Sequence, residues 1–312
     1  MTKLIIQIPC YNESENLLIT LNALPKAIEG IDEIVVLVIN DGSADNSSEI
    51  AKNWGAEVID IKTNKGLANA FRTGLQKALI LGADIVVNTD ADNQYNAKDI
   101  EKLVEPILKG EADIVIGARD ISNIKDFSIL KKILQKIGSA VLRLLSDTKV
   151  KDAPSGFRAF SRYAVLNLNV FDNYTYTMET IIQASAKGLK TLSVPINVNS
   201  ETRKSKLVKN IFDYIFKSAK TIIRMFIVYR PFRFFAVFSG LSGIAGLILV
   251  CRFLCYYING DGNGHIQSLI FSAIFLISSV LLLIVAIIGD LLSINRKLLE
   301  DIQTRIRKLE LK

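Results

Sequence analysis

Over roughly the first 200 residues, short apolar runs alternate with stretches whose apolar positions recur every three or four residues. The runs LIIQIP (4–9), EIVVLVIN (33–40), EVIDI (57–61), DIVVNT (84–89), DIVIGA (113–118) and TLSVPI (191–196) predict strands. Between them, Glu15–Ala23, Ser47–Trp54, Leu67–Leu81 and Lys98–Lys109 predict helices. Apolar strands alternating with helices predict an α/β domain with a mostly parallel sheet covered on both faces. Ligands of such sheets bind beyond the C-terminal strand ends. The residues at those ends are PCYNE, NDGS, TDADNQ and GARD.

The pattern changes toward the C-terminus. Phe234 to Cys251 contains no charged residue, and neither does Ile266 to Gly289. A bilayer core of about 30 Å needs about 20 apolar helical residues, so each run is long enough to span one. The turn-forming connection NGDGNGH (259–265) predicts a transmembrane hairpin over 231–292, with spans at about 232–258 and 266–289. The alternative is a pair of buried core helices. Arg230 and Arg233 precede the first span and Arg296 and Lys297 follow the second, while the connecting loop has no Lys or Arg. The positive-inside rule then places both chain ends in the cytoplasm, as an integral protein of the cell membrane. Arg252, near the far end of the first span, is expected to snorkel outward. The opening TKLIIQIPC is too short for a signal-peptide core, so no secretory leader is expected.

Two further segments are amphipathic. In 207–229, Lys209, Asp213, Lys217, Lys220 and Arg224 form one polar stripe on an otherwise apolar helix, and 130–146 behaves similarly. They read either as ordinary helices packing on the domain or as helices lying in the membrane interface. Because the first is basic and leads into the hairpin, the interfacial reading is preferred, with 204–230 as the interfacial helix. The remaining divisions are the α/β domain over 1–203 and a charged helical tail over 293–312, either a tail or an oligomer contact.

Charge narrows the partners. The chain has 312 residues, with 38 Lys+Arg against 31 Asp+Glu, a net charge of +7. Such an excess suits nucleic acid or an anionic membrane. The hairpin favours the membrane, and no nucleic-acid-binding signature is present. Cys10, Cys251 and Cys255 have neither a disulfide framework nor zinc-ligand spacing.

The candidate chemistry lies at the strand ends. Asp90 and Asp92 stand two apart at the end of an apolar strand, where both side chains can point the same way. Convergent carboxylates repel unless a cation sits between them, and hard oxygen ligands suit Mg²⁺ or Mn²⁺. Gln94 adds a neutral oxygen at the same step. In NDGS, Gly42 permits a tight turn and Asp41 stands at the strand tip, able to accept hydrogen bonds from a base or ribose. Asp45 or Asn46 can cap the helix that follows. No G-x-G-x-x-G and no P-loop is present to support another kind of nucleotide site.

PCYNE (9–13), NDGS (40–43), NKGLANAFRTG (64–74) and TDADNQY (89–95) resemble, in order and spacing, the family-two inverting glycosyltransferases of GT-A fold. DAPSGFRAF (152–160) followed by a membrane hairpin resembles the branch that acts on polyprenyl phosphates, which includes dolichyl-phosphate mannose synthases. The resemblance implies a membrane enzyme that moves a sugar from a nucleoside diphosphate sugar to a polyprenyl phosphate such as undecaprenyl or dolichyl phosphate. It implies that Pro9, Tyr11, Asn12, Glu13, Asp41, Lys65, Gly66 and Asp90 line the nucleotide-sugar pocket. It gives Asp90, Asp92 and Gln94 to the metal and Arg119, Lys132, Ser155, Arg158, Arg203, Ser205 and Lys206 to the acceptor phosphate. Asp92, Arg119 and Asp152 become the catalytic set, with Asp152 either orienting acceptor groups or only starting a turn. Two positions depart from the pattern: Arg203 stands where glycine is usual, and lysine, at Lys132, replaces an arginine.

A lipid monophosphate has a second pKa of about 6 and arrives largely dianionic, so it needs no strong base. The single histidine, His265, lies in the loop between the spans. A hydroxyl acceptor, on a membrane lipid or a polysaccharide, would instead need a base, and Glu179 is the candidate. A non-catalytic nucleotide-sugar-binding membrane protein would be expected to carry a degraded metal motif, and TDADNQ is intact.

Overall fold

The structure, a computed structural model, describes residues 1–119, 150–170, 176–199, 219–220, 223–224, 226–260 and 263–311. The amphipathic segment 130–146, most of 207–229, and Lys132, Arg203, Ser205 and Lys206 lie outside the described residues.

Seven strands form one sheet: β1 (Lys3–Cys10), β2 (Glu33–Asn40), β3 (Glu57–Asp60), β4 (Ile85–Asn88), β5 (Ile114–Arg119), β6 (Arg158–Ser161) and β7 (Thr191–Ile196). Their order is β3-β2-β1-β4-β6-β5-β7. All pairings are parallel except those of β6, which runs antiparallel between β4 and β5. Helices α1 (Leu17–Ala23), α2 (Ser47–Trp54), α3 (Leu67–Ile80) and α4 (Ile100–Leu108) follow the first four strands, and α5 (Arg162–Asn167) and α6 (Thr177–Ala186) follow β6. The central strands are buried on both faces, as a covered parallel sheet requires: Leu4, Ile5, Ile6 and Ile8 of β1 and Val86 and Val87 of β4 are fully enclosed.

The six predicted strands and the four helices predicted between them are present, with ends within about two residues of expectation. β6 and α5 are additions. β6 is four residues long and opens on an arginine, and its register comes from Asn88↔Arg158 and Ile116↔Arg158, which no local pattern encodes. Its insertion places the loop 152–157 beside the tips of β4 and β5.

The chain divides into two compact units, Met1–Ile222 with Ile302–Lys312, and Ile223–Asp301. In the second unit, α7 (Pro231–Ile258) and α8 (Ile266–Glu310) carry windows of mean hydropathy 2.2 and 2.9 of which 11% is buried. Both are long and apolar enough to cross a membrane. Core helices would bury such surface. Their contact is lined by small residues. Ser239 and Ser279 each donate to the other's carbonyl at 2.9 Å, and Ser272 donates to Gly246 O at 3.0 Å. A Cβ on Gly246 would sit 2.8 Å from Leu276, so glycine sets how closely the helices approach.

The charged tail is not a separate helix: α8 runs without a break from the apolar span to Glu310. Its last turns belong to the first unit, where Thr304 Oγ1 and Arg307 Nη1 donate to the carbonyl of Leu166 at 3.4 and 3.1 Å.

Candidate active site

At the tips of β1 and β2, turn chemistry joins three loops. Asn12 takes a left-handed φ of 53°, its N–H donates to Ser43 Oγ at 2.9 Å, and its Oδ1 accepts from Ala44 N at 2.8 Å. Glu13 N donates to Ser47 Oγ at 3.0 Å. Asp45, rather than Asn46, caps α2, accepting from Ser47 N at 3.1 Å. Asp41 is 3% exposed, and its two oxygens accept from Lys65 N at 3.0 Å and Gly66 N at 2.8 Å. The carboxylate thus ties the NKG loop to the NDGS turn. Gly42 makes this possible: its φ is +72°, and a Cβ would lie 2.7 Å from Asn64 N. Pro9 is buried in β1, while Tyr11 and Lys65 are exposed at the rim.

Beyond β4, the chain turns through a second left-handed residue, Asn93, at φ 56°. Asp92 Oδ1 accepts from Gln94 N at 3.1 Å, fixing the turn from within. Burial, and after it the charges of Asp92 and Glu13, raise the Asp90 pKa to about 7 against the opposing charge of Arg119. These groups, from the ends of β1, β4 and β5, therefore share one electrostatic site. Gly156 lets the 152–157 loop pass close by, since a Cβ there would meet Asp90 Oδ1 at 3.2 Å and Tyr176 OH at 2.9 Å.

Arg119 and Asp152 form a two-point pair, with Nε–Oδ2 at 2.7 Å and Nη2–Oδ1 at 3.1 Å, and Arg119 N adds a contact at 3.3 Å. The side chains are 8% and 1% exposed. The nearby negative groups hold the Arg119 pKa above its ordinary value despite its burial.

Arg158 is fully enclosed. Its guanidinium donates to the carbonyls of Ser155 at 2.8 Å, Ala153 at 2.6 Å and Thr177 at 2.8 Å, and to Thr180 Oγ1 at 2.7 Å. It braces the 152–157 loop against α6. Burial lowers its pKa to about 10. Ser155 is also fully buried, and its Oγ has no hydrogen-bond partner. Glu179 lies inside α6 with no exposed surface and accepts from Gln183 Nε2 at 3.1 Å.

Several supporting residues carry no sequence signal. Asn199 Nδ2 donates to Asn93 O at 2.9 Å, and Asn199 N donates to Gln94 O at 2.9 Å, so the chain after β7 clamps the Asp92 turn. Asp99 Oδ2 accepts from Asn197 N at 2.6 Å and anchors the clamp. Beneath Asp90, Asn88 Nδ2 donates to Tyr176 OH at 2.8 Å and Gly156 O at 2.9 Å, and Tyr176 stacks on Phe71 at 3.7 Å. These partners are 68 to 106 positions apart in the chain, beyond the reach of any motif.

The donor set fits a hard cation. The charge of Asp92 already disfavours that of buried Asp90, which a cation would relieve. Among the described residues no three His, Cys, Asp or Glu converge on one point. Two carboxylates would leave most coordination positions to water and substrate oxygens, the usual arrangement for Mg²⁺ or Mn²⁺.

A parallel sheet interrupted by one antiparallel strand, with paired carboxylates beyond β4, defines a glycosyltransferase of GT-A type. The fold matches glucosyl-3-phosphoglycerate synthase from Mycobacterium tuberculosis, solved with Mn²⁺, uridine diphosphate and glucosyl-3-phosphoglycerate, at a TM-score of 0.56 and 19% identity over 72% of this chain and 78% of that one. The family described as Glycosyl transferase family 2 matches residues 5–168, and the chain belongs to it. Among its relatives, the UDP-N-acetylglucosamine–dolichyl-phosphate N-acetylglucosaminyltransferase of Methanococcus voltae is 35% identical over 213 residues, 61% of this chain and 82% of the relative. The dolichol-phosphate mannosyltransferase of Pyrococcus furiosus is 30% identical over 271 residues, 82% of this chain and 73% of the relative. These relatives support the polyprenyl-phosphate branch that the motifs resemble.

Proposed function

We propose that the enzyme transfers a sugar from a nucleoside diphosphate sugar to a polyprenyl phosphate at the membrane, inverting the anomeric carbon. The observation that carries this reading is the opposition of two charges in one site. The Asp90–Asp92 pair, suited to a cation on a diphosphate, acts electrostatically on the same ground as Arg119, an arginine held by Asp152 and suited to a second phosphate. The named activities of the relatives support the substrate class.

The donor nucleotide would lie along the tips of β1 and β2, against Pro9, Tyr11, Asn12 and Glu13. Asp41 holds Lys65 and Gly66 at that rim. A divalent cation bound by Asp90 and Asp92, with Gln94 beside them, would offset the charge that develops on the leaving diphosphate. Arg119 would draw the lipid phosphate toward the anomeric carbon, and Asp152 fixes its guanidinium in direction. We assign Arg158 to the loop that carries Asp152 rather than to the acceptor, because its N–H groups are directed at protein carbonyls. Ser155 Oγ, buried without a partner, stays with the acceptor set, as do Lys132, Arg203, Ser205 and Lys206. Glu179, enclosed and bonded within α6, is poorly placed as a base for a hydroxyl acceptor, which favours the phosphate. Both chain ends are assigned to the cytoplasm on the positive flanks of the spans.

The test is transfer of labelled sugar in nanodiscs, with the product lipid read by mass spectrometry. Metal-dependent formation of a polyprenyl-phosphate sugar is expected with at least one of a panel of UDP-, GDP- and dTDP-sugars, with near-complete loss in a folded Asp92→Asn variant. Glu179→Gln should retain most turnover. No product across the panel, or a product only on lipid hydroxyls, overturns the reading.

A further inference from the structure

A cavity of about 240 Å³ lies in the first unit, away from the strand tips. Its walls come from the second half of α3, the end of α5 with the chain after it, and the last turns of α8. α3 follows Gly66 beside Asp41 and runs back along the sheet, and α5 follows Ser161, which pairs with Ile85 at the beginning of β4. The cavity therefore opens near the opposite ends of the strands from Asp90 and Asp92.

Its polar lining is Arg72, Thr73, Gln76, Asn169, Gln303 and Arg307, and apolar side chains of α3 and α5 complete it. Asn169 is 4% exposed, and neither its side-chain Oδ1 nor its Nδ2 has a hydrogen-bond partner. A buried amide unused on both sides is costly and uncommon in folded proteins. The main chain that carries this amide is held on both sides, since Asn169 N donates to Gln183 Oε1 at 2.9 Å and Gln183 Nε2 donates back to Asn169 O. Arg307 is equally fixed, with Nη1 on the carbonyls of Leu166 at 3.1 Å and Leu168 at 3.2 Å. A guanidinium has five N–H donors, so this anchoring leaves others for the cavity. Glu310, one turn further along α8, is the acid that acts on Arg307; the cavity lining itself contributes two arginines and no carboxylate.

We propose that this cavity is a second ligand site, taking a small phosphate ester that bears a neighbouring hydroxyl. The arginines would receive the phosphate oxygens, and the Asn169 amide would pair with the hydroxyl as both donor and acceptor. Free sugar or glycerol phosphates and the head group of an anionic glycerophospholipid share this chemistry. Gln183, which fixes Asn169, also donates to Glu179 in the body of α6, the helix that Arg158 braces against the Asp152 loop. A ligand on Asn169 would thus bear on a helix that supports the active site.

The test is calorimetric titration of the full chain with glycerol 3-phosphate in neutral-lipid nanodiscs without added divalent cation, with sensitivity to two substitutions in the lining separating the cavity from the strand tips. Saturable binding of one equivalent is expected, weakened at least tenfold by Arg307→Gln. Gln76→Glu, an exposed substitution on α3 that adds a negative charge to the lining, should weaken it similarly without unfolding the chain. Discs containing phosphatidylglycerol separate the two sources: unchanged affinity supports a free phosphate ester, and competition supports a lipid head group in the same site. Absence of saturable binding, or binding indifferent to both substitutions, overturns the proposal and leaves a cavity for water. The result does not depend on the transferase reading, since it follows binding and not turnover.

Discussion

At the scale of single residues, the site depends on how each charge is held. Asp152 is nearly enclosed and meets Arg119 at two points. Removing one partner of such a pair strands the other, at a cost of about 3–5 kcal/mol. Asp152→Ala should therefore lower the denaturation midpoint as well as turnover, and Asp152→Asn should keep more stability than activity. A protein whose melting curve is unmoved by Asp152→Ala would show the pair to be solvent-compensated. Gly156 gives a second prediction. Alanine there presses on Asp90 and on Tyr176 OH, so Gly156→Ala should raise the metal concentration for half-maximal transfer more than it changes the melting temperature. A third concerns pH. Hydrogen bonds from Lys52, then Ser48 and Asn40, hold the Asp60 pKa down to about 2 from 3.8. A depressed acid stabilises the fold fully above its unfolded value and loses that effect as pH falls through its folded one. Between about pH 4 and 2 the wild type should therefore lose more stability than Asp60→Asn, as measured by chemical denaturation at stepped pH. Because Asn40 also accepts from Ser43 N at 3.1 Å, the same loss should loosen the Asp41 turn.

At the scale of elements, the strand tips work because distant segments cross them. The chain after β7 holds the turn that carries Asp92 through Asn199, and supporting partners of this kind typically change metal affinity about 10–100-fold when removed. Asn199→Ala should weaken Mn²⁺ binding, followed by electron paramagnetic resonance in the presence of nucleoside diphosphate, by about tenfold. Unaltered binding would reduce the clamp to a packing contact. In the hairpin, serines and glycines govern the approach of α7 and α8. Gly246→Leu meets Leu276 across that contact and should splay the helices, which a cysteine cross-link between the two would report.

At the scale of the whole molecule, one helix belongs to both units. α8 continues from the apolar span into residues 302–312, which pack within the first unit. The charged tail, which the pattern allowed to be free or an oligomer contact, caps the carbonyls at the end of α5. Deleting residues 302–312 is expected to increase hydrogen exchange across 164–170, where those carbonyls and the Asn169 cavity lie.

Pattern sufficed for the strands β1 to β5 and β7, for α1 to α4 and for the two long apolar helices, because burial on a sheet imposes a local repeat and a span-length apolar run is visible by itself. It likewise exposed Asp41, Asp90, Asp92 and Arg119, since a polar residue ending an apolar strand stands at the tip of a parallel sheet. Arg158 shows the limit of such reading. Its neighbours in sequence mark it as one more basic residue near an anion site, and only folding shows its guanidinium directed at the carbonyls of its own loop and of α6. The same holds for β6, for the Asn199 clamp and for the docking of the tail. The chain by itself determined which residues reach the strand tips, because that is set by alternation along a few residues. The tertiary structure alone decided which of them stay open at the strand tips and which hold the frame, because that depends on hydrogen bonds between segments far apart in sequence.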